Sequence, residues 1–237
     1  MLNGKRVVLL GGTSGIGFAA AEAVQRRGAQ VVVVSRRREK VDAAVARLGP
    51  GAEGHAADLA VEDDVRDTFE RIGAFDHLVY TAGEPLQIGP LEALRLADAR
   101  RFFEIRFWGA YAAAKYGARG VRPGGSIVFT SGIASRRPWP GWSTAASICG
   151  AMESLTRALA VELAPVRVNA ICAGVVNTEL WSGATSEARA GLVRMAASLP
   201  ARRIGQPADL GEAYAHLMAN GYVTGAIVTI DGGAMLV

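Results

Sequence analysis

Between an apolar run, Arg6 to Leu10, and an alanine-rich stretch, Gly15 to Arg27, the chain reads Gly11-Gly12-Thr13-Ser14-Gly15-Ile16-Gly17. Such a turn constrains the fold more than any other feature of the chain. Glycines let a backbone approach a pyrophosphate, and a helix N-terminus offers unpaired N–H groups and a partial positive charge. A glycine-rich turn alone is a weak signal. Here the apolar run before it, the helical pattern after it and the alternation along the rest of the chain agree. The expectation is a dinucleotide held by Gly11, Thr13, Ser14, Gly15, Ile16 and Gly17; the alternative is a turn with no ligand.

The alternation is regular. Helical patterns over 15–27, 39–48, 61–72, 97–121, 143–163 and 207–219 separate short β-rich runs at 6–10, 30–35, 52–57, 75–80, 126–130, 166–171 and 226–230. Gly28 ends the first helix, and Pro207 opens the last at its first turn. The four valines Val31 to Val34 suit a strand buried on both faces. Strands separated by helices imply parallel crossovers. The prediction is one α/β domain over residues 1–237, a doubly wound parallel sheet of the Rossmann type with helices on both faces.

Composition narrows the function. A chain of 237 residues, half hydrophobic and one fifth charged, fits a single soluble domain. The net charge of +4 comes without a basic stripe interleaved with aromatics, which argues against nucleic acid. The apolar start is too short for a secretory signal, and no stretch of about 18 apolar residues exists to span a membrane. Cys149 and Cys172 read as reduced thiols, so the expected location is the cytoplasm. His55, His77 and His216 share no spacing, so no metal is expected.

The end of the second strand selects the cofactor. It reads Ser35-Arg36-Arg37, where an acid would accept the adenosine ribose hydroxyls of NAD(H). Arg36 offers planar donors to a 2′-phosphate, which favours NADP(H). The alternative is that Arg36 and Arg37 only begin an exposed helix. Asp58 follows the third strand and is placed to touch the adenine amino group, to cap the next helix, or to do both.

Several ordered motifs carry a resemblance over essentially the whole chain. They are the G-x-x-x-G-I-G spacing, Ala82-Gly83, Leu155-Thr156-Arg157-Ala158-Leu159-Ala160, Arg167-Val168-Asn169-Ala170, Arg203-Ile204-Gly205-Gln206-Pro207 and Asp231-Gly232-Gly233. On these the chain resembles the short-chain dehydrogenase/reductase family. The resemblance implies a sheet of about seven strands and a homodimer or homotetramer built on the two long helices. It adds Leu59, Ala82, Gly83, Gly174, Val176 and Thr178 to the cofactor set, and makes about 178–203 a variable substrate lid.

The family's chemistry uses a tyrosine, a lysine four residues later, a serine about thirteen residues before the tyrosine, and an asparagine on the preceding long helix. Counting back from Leu155-Thr156-Arg157, those positions hold Ala145, Cys149, Gly132 and, near the asparagine, Arg106. No tyrosine lies between Tyr116 and Tyr214, and no lysine follows Lys115. The weak catalytic candidates are Ser131, which either bonds a substrate oxygen or ends a strand, and Arg106. Arg106 is a cation for a carboxylate or a developing oxyanion, or else an interface ion pair. Cys149 is read as a packing residue, and Ser143 and Thr144 as helix caps. Trp139, Trp142 and Trp181 are expected to wall a small-molecule pocket, to fill the space left by the smaller residues, or to bury an interface. Two functions follow. One is a divergent NADP(H)-binding oxidoreductase for a carbonyl or alcohol. The other is a non-catalytic NADP(H)-dependent binder, sensor or partner subunit.

Overall fold

The computed structural model describes residues 2–86, 88–179, 191 and 194–237. Seven strands form one fully parallel sheet: β1 (Arg6–Leu10), β2 (Gln30–Ser35), β3 (Ala52–Ala56), β4 (Phe75–Tyr80), β5 (Val121–Gly132), β6 (Arg167–Ala173) and β7 (Ile227–Ile230), in the order β3-β2-β1-β4-β5-β6-β7. The chain builds β1, β2 and β3 outward in one direction, then crosses back to lay β4 beside β1. That reversal opens a crevice beyond the carboxyl ends of the strands.

The helices are α1 (Gly15–Gln25), α2 (Arg38–Leu48), α3 (Glu62–Ile72), α4 (Leu96–Phe103), α5 (Ala110–Gly117), α6 (Ser143–Glu162) and α7 (Pro207–Ala219). Strand side chains alternate between two cores, as the two-residue period requires. Val7, Leu9, Val31 and Val33 pack with α1 and α7 through Phe18, Leu210 and Tyr214. Val8, Leu10, Val32 and Val34 pack on the other face against Val65, Phe69, Ala113 and Met152. Burial on both faces is the reason these strands read as unbroken apolar runs rather than alternating ones.

The expected element order stands, with two differences. The helical zone expected over 97–121 is broken by a π-helical turn, Glu104–Gly109, between α4 and α5. Hydrophobic periodicity does not separate a single wide turn from the α-helix on either side of it. β5 begins five residues before the expected Ser126, because Pro123-Gly124-Gly125 forms an irregularity within the strand: the pairing jumps from Phe75↔Val121 to His77↔Ser126. Among the described residues, no helix is long and apolar enough to cross a membrane.

Two motifs act as joints. Arg167, buried at the start of β6, donates to the carbonyls of Leu217 at 2.8 Å, Met218 at 2.8 Å and Val223 at 3.1 Å. It therefore satisfies the carbonyls that α7 leaves open at its C-terminal end. Arg167→Met is expected to lower the unfolding free energy by about 2 kcal/mol, read from urea denaturation. At the other end of α7, Asp209 forms a capping box with Gln206 and accepts two bonds from Arg203, at 2.6 and 2.8 Å. The Arg203 guanidinium, with the Gln206 N–H, holds the Asp209 carboxyl down to about 2. The 203–207 motif is thus a helix start, tied in turn to Val176 by a parallel bridge to Gly205.

Candidate functional site

A cleft of about 670 Å³ opens at the carboxyl ends of the strands. One side of it is built by the glycine turn, the end of β2 and the loop after β3. α1 starts at Gly15 behind Ser14, and no side chain caps it; its first turn contains no acid. The free N–H groups there are open to an anion. Gly17 sets how closely helix and strand approach: a Cβ on it would overlap the Gly11 carbonyl and the Thr81 hydroxyl. Every residue of the expected cofactor set lines this one cleft: Gly11, Thr13, Ser14, Gly15, Ile16, Gly17, Ser35, Arg36, Arg37, Asp58, Leu59, Ala82, Gly83, Gly174, Val176 and Thr178.

Among the described residues, three cations, Arg36, Arg37 and Lys40, stand at the rim on this side. Arg36 is largely exposed, with the Glu84 carboxylate 4.0 Å away. Arg37 faces Glu39 at 3.6 Å. Lys40 faces Glu179 at 3.4 Å. Exposed pairs of this kind hold their partners weakly. Lys40 and Glu84 were missed by sequence reasoning, although Lys40 stands only four residues after Arg36, close enough on a helix start to share its side. Asp58 does line the cleft, but it is not a helix cap. α3 starts behind Val61, and the Asp58 carboxylate instead accepts the Ala60 N–H at 3.0 Å.

The opposite side of the cleft has an apolar floor with one charge. Ala145, Ile148, Cys149 and Met152 come from α6, Thr130 to Ala134 from the end of β5 and the turn after it, and Ile105 and Arg106 from the π-turn. The wider turn leaves the Ile105 carbonyl to the buried hydroxyl of Tyr80, which donates to it. Burial raises the Tyr80 hydroxyl above its ordinary range. Burial also pushes the Cys149 thiol up, against the pull of the Arg106 guanidinium, so it is a thiol at neutral pH and not a nucleophile. That agrees with a packing role.

Arg106 is held by backbone. Its Nη2 donates to the Glu84 carbonyl, and its guanidinium carbon lies 4.7 Å from the centre of the Phe102 ring. Desolvation lowers its affinity for a proton, while Cys149, Tyr80 and Glu84 act in the opposite direction. No described carboxylate lies within 4.0 Å of it, so the alternative of an ion pair finds no partner among the described residues of this chain. Gly83 makes the room: a Cβ there would stand 2.7 Å from the guanidinium carbon.

The structure refines three expectations. Ser131 lines the cleft, but its hydroxyl turns to α6, donating to the Cys149 carbonyl at 3.1 Å with the Glu153 carboxylate at 3.4 Å, which favours its reading as the end of a strand. The strand's alternation turns Ser131 toward α6. Ser143 and Thr144 are inside α6, whose cap position is Trp142. Of the tryptophans, Trp142 lines the cleft; Trp139 stacks edge-on against it, 5.5 Å between ring centres, and is 44 % exposed outside the wall. Trp181 and much of the expected lid lie outside the described residues. The turn that carries Trp139 is fastened from behind, where Arg136 and Ser135 reach the buried Glu153 at 3.2 and 2.7 Å.

Known proteins share this arrangement. Residues 11–235 match a family model described as enoyl-(acyl carrier protein) reductase. A short-chain dehydrogenase/reductase of Gibberella fujikuroi, fsr5, is 32 % identical, covering 99 % of this chain and 96 % of its own. A small-chain dehydrogenase solved in complex with NADPH is 38 % identical over 99 % of this chain and all of its own, with a TM-score of 0.88. The MalC reductase/Diels-Alderase of Malbranchea aurantiaca is 30 % identical over the whole of this chain and 98 % of its own, with a TM-score of 0.91. With its parallel sheet, its glycine turn and these relatives, the chain belongs to the short-chain dehydrogenase/reductase family of nicotinamide-dependent oxidoreductases.

Proposed function

We propose that this protein is an NADP(H)-dependent oxidoreductase acting on a carbonyl/alcohol pair, with the family's usual serine, tyrosine, lysine and asparagine replaced by Gly132, Ala145, Cys149 and Arg106. The observation that carries the reading is the adenosine side of the cleft. It combines an uncapped helix N-terminus with Arg36, Arg37 and Lys40 and has no acid at the end of β2. The relative solved with NADPH supports the same cofactor.

The residues present fit NADP(H). The first turn of α1 would hold the pyrophosphate, Gly17 keeps its approach open, and Arg36 and Lys40 would hold a 2′-phosphate. When bound, the dihydronicotinamide supplies hydride to a carbonyl carbon. The chain's own part is to orient the two and to exclude water with the apolar surface of Ala145, Ile148 and Met152. None of the floor side chains is poised to give up a proton near neutrality, so the proton for the product oxygen comes from water. Loss of a positioned general acid typically costs about 10²- to 10⁴-fold in rate, which leaves measurable turnover. The exposed rings of Trp108 and Tyr111 beside α5 support a homo-oligomer through the α4–α5 face.

Calorimetric titration with NADPH and NADH tests the cofactor half. NADPH is expected to bind more tightly, and Arg36→Ala to weaken NADPH by roughly 10- to 100-fold while leaving NADH unchanged. Equal binding of both cofactors by the wild type would overturn the NADP(H) assignment. Following NADPH absorbance across a panel of aldehydes and ketones tests the chemistry. Tight NADPH binding with no oxidation of it by any member would make the protein a cofactor-dependent binder.

A further inference from the structure

Resting on the cleft being the ligand site, we infer that Arg106 is the specificity residue of the substrate half and selects a ligand bearing a carboxylate beside its carbonyl. The guanidinium lines the cleft floor among apolar and small side chains. Among the described residues, only Nη2 has a hydrogen-bond acceptor, the Glu84 carbonyl. Among them Nε is buried with no partner, and Nη1 makes no hydrogen bond. The Glu84 carboxylate lies 4.0 Å from Arg36, and no described carboxylate comes within 4.0 Å of Arg106.

A guanidinium taken out of water without a counter-charge is unfavourable, and a buried N–H without an acceptor adds to it. A carboxylate in the cleft brings the missing charge, and its planar oxygens suit a guanidinium edge. The surroundings set the rest of the ligand. Trp142 and Ile148 offer apolar wall on the same cleft, so the carboxylate side of the ligand is charged and its remainder apolar.

Phenylglyoxylate, an aromatic 2-oxo acid, and its methyl ester separate charge recognition from shape. Each is titrated calorimetrically into the full chain, with and without NADPH. The wild type is expected to bind the acid about 10- to 100-fold more tightly than the ester. Arg106→Gln should erase that difference, and Arg106→Lys should keep part of it, since charge remains but the fork is lost. Thermal melts establish that each variant is folded. Equal affinity for acid and ester in the wild type, binding of neither, or an acid preference that survives in Arg106→Gln would overturn the inference. Failure of NADPH to bind would instead overturn the proposed function, and the titrations without cofactor would still decide the role of Arg106.

Discussion

Gly17→Val is expected to abolish NADPH binding in calorimetry and to lower the unfolding free energy by about 1–3 kcal/mol in urea denaturation. The position admits no side chain. A Cβ would overlap the Gly11 carbonyl and the Thr81 hydroxyl, and would stand 2.9 Å from the Gly11 carbonyl carbon. Those atoms are fixed in turn, because Gly11 donates to the Val34 carbonyl at 2.9 Å and Thr81 donates to the Leu10 carbonyl at 3.2 Å. The strain is relieved only by lifting the start of α1 off the sheet. That movement displaces the N–H groups that face a pyrophosphate, so binding and stability fall together. Gly17→Ala, with the same Cβ and no branch, is expected to lie between. Wild-type NADPH affinity in a folded Gly17→Val protein would mean that the phosphates do not bind at this turn.

The second large effect is on pH. His77 lies in the middle of β4, 4 % exposed, and shares a hydrogen bond of 2.9 Å with the buried Ser126 hydroxyl. Burial and, after it, the Arg167 guanidinium push the imidazole down to about 4, against the opposing influence of Asp76. In the unfolded chain a histidine titrates near 6.5. The folded state therefore holds the ring neutral where the unfolded state would charge it. The resulting stability is fully present above pH 6.5. It is lost as pH falls from about 6.5 to 4, by about 3 kcal/mol in all. Urea denaturation at pH 7.5, 6, 5 and 4.5 should show that decline, and His77→Gln should flatten it. A stability independent of pH over that range in the wild type would contradict the assignment. Asp76 adds an acid limb at lower pH. Despite its burial, the Arg6 N–H and the Lys5 and Arg122 side chains hold its carboxyl below the usual range, at 2.9, 2.9 and 3.0 Å. Stability from Asp76 is present above about pH 4 and lost as pH falls through its folded value.

The elements that could be read directly were those with a strong local cause. The four valines of β2, the glycine turn after β1 and Pro207 at the start of α7 each fix a conformation with their own sterics or hydrophobicity. The parallel sheet followed from their alternation, since short crossovers of one hand leave few topologies. The gathering of the expected glycine-turn and strand-end residues around one cleft was legible for the same reason. These residues sit at strand ends, and strand ends converge at the switch point whatever their side chains.

Individual polar and aromatic side chains were read less well, because their roles depend on where they turn and what they meet. Ser131, Asp58, Ser143 and Trp139 carry groups that suit several roles, and only their neighbours decided among them. Ser131 was taken by the Cys149 carbonyl, and Asp58 by the Ala60 N–H. Ser143 fell inside α6, and Trp139 outside the wall. The sequence by itself determined the strand and helix order and the place of the glycine turn between β1 and α1, because these depend on local conformation and spacing. Only the tertiary structure decided that Arg106 has no carboxylate partner among the described residues and that His77 is held neutral. Charge balance and desolvation are set by what packs around a group from distant parts of the chain, here Glu84 and Cys149 around the arginine, and Ser126 and Arg167 around the histidine.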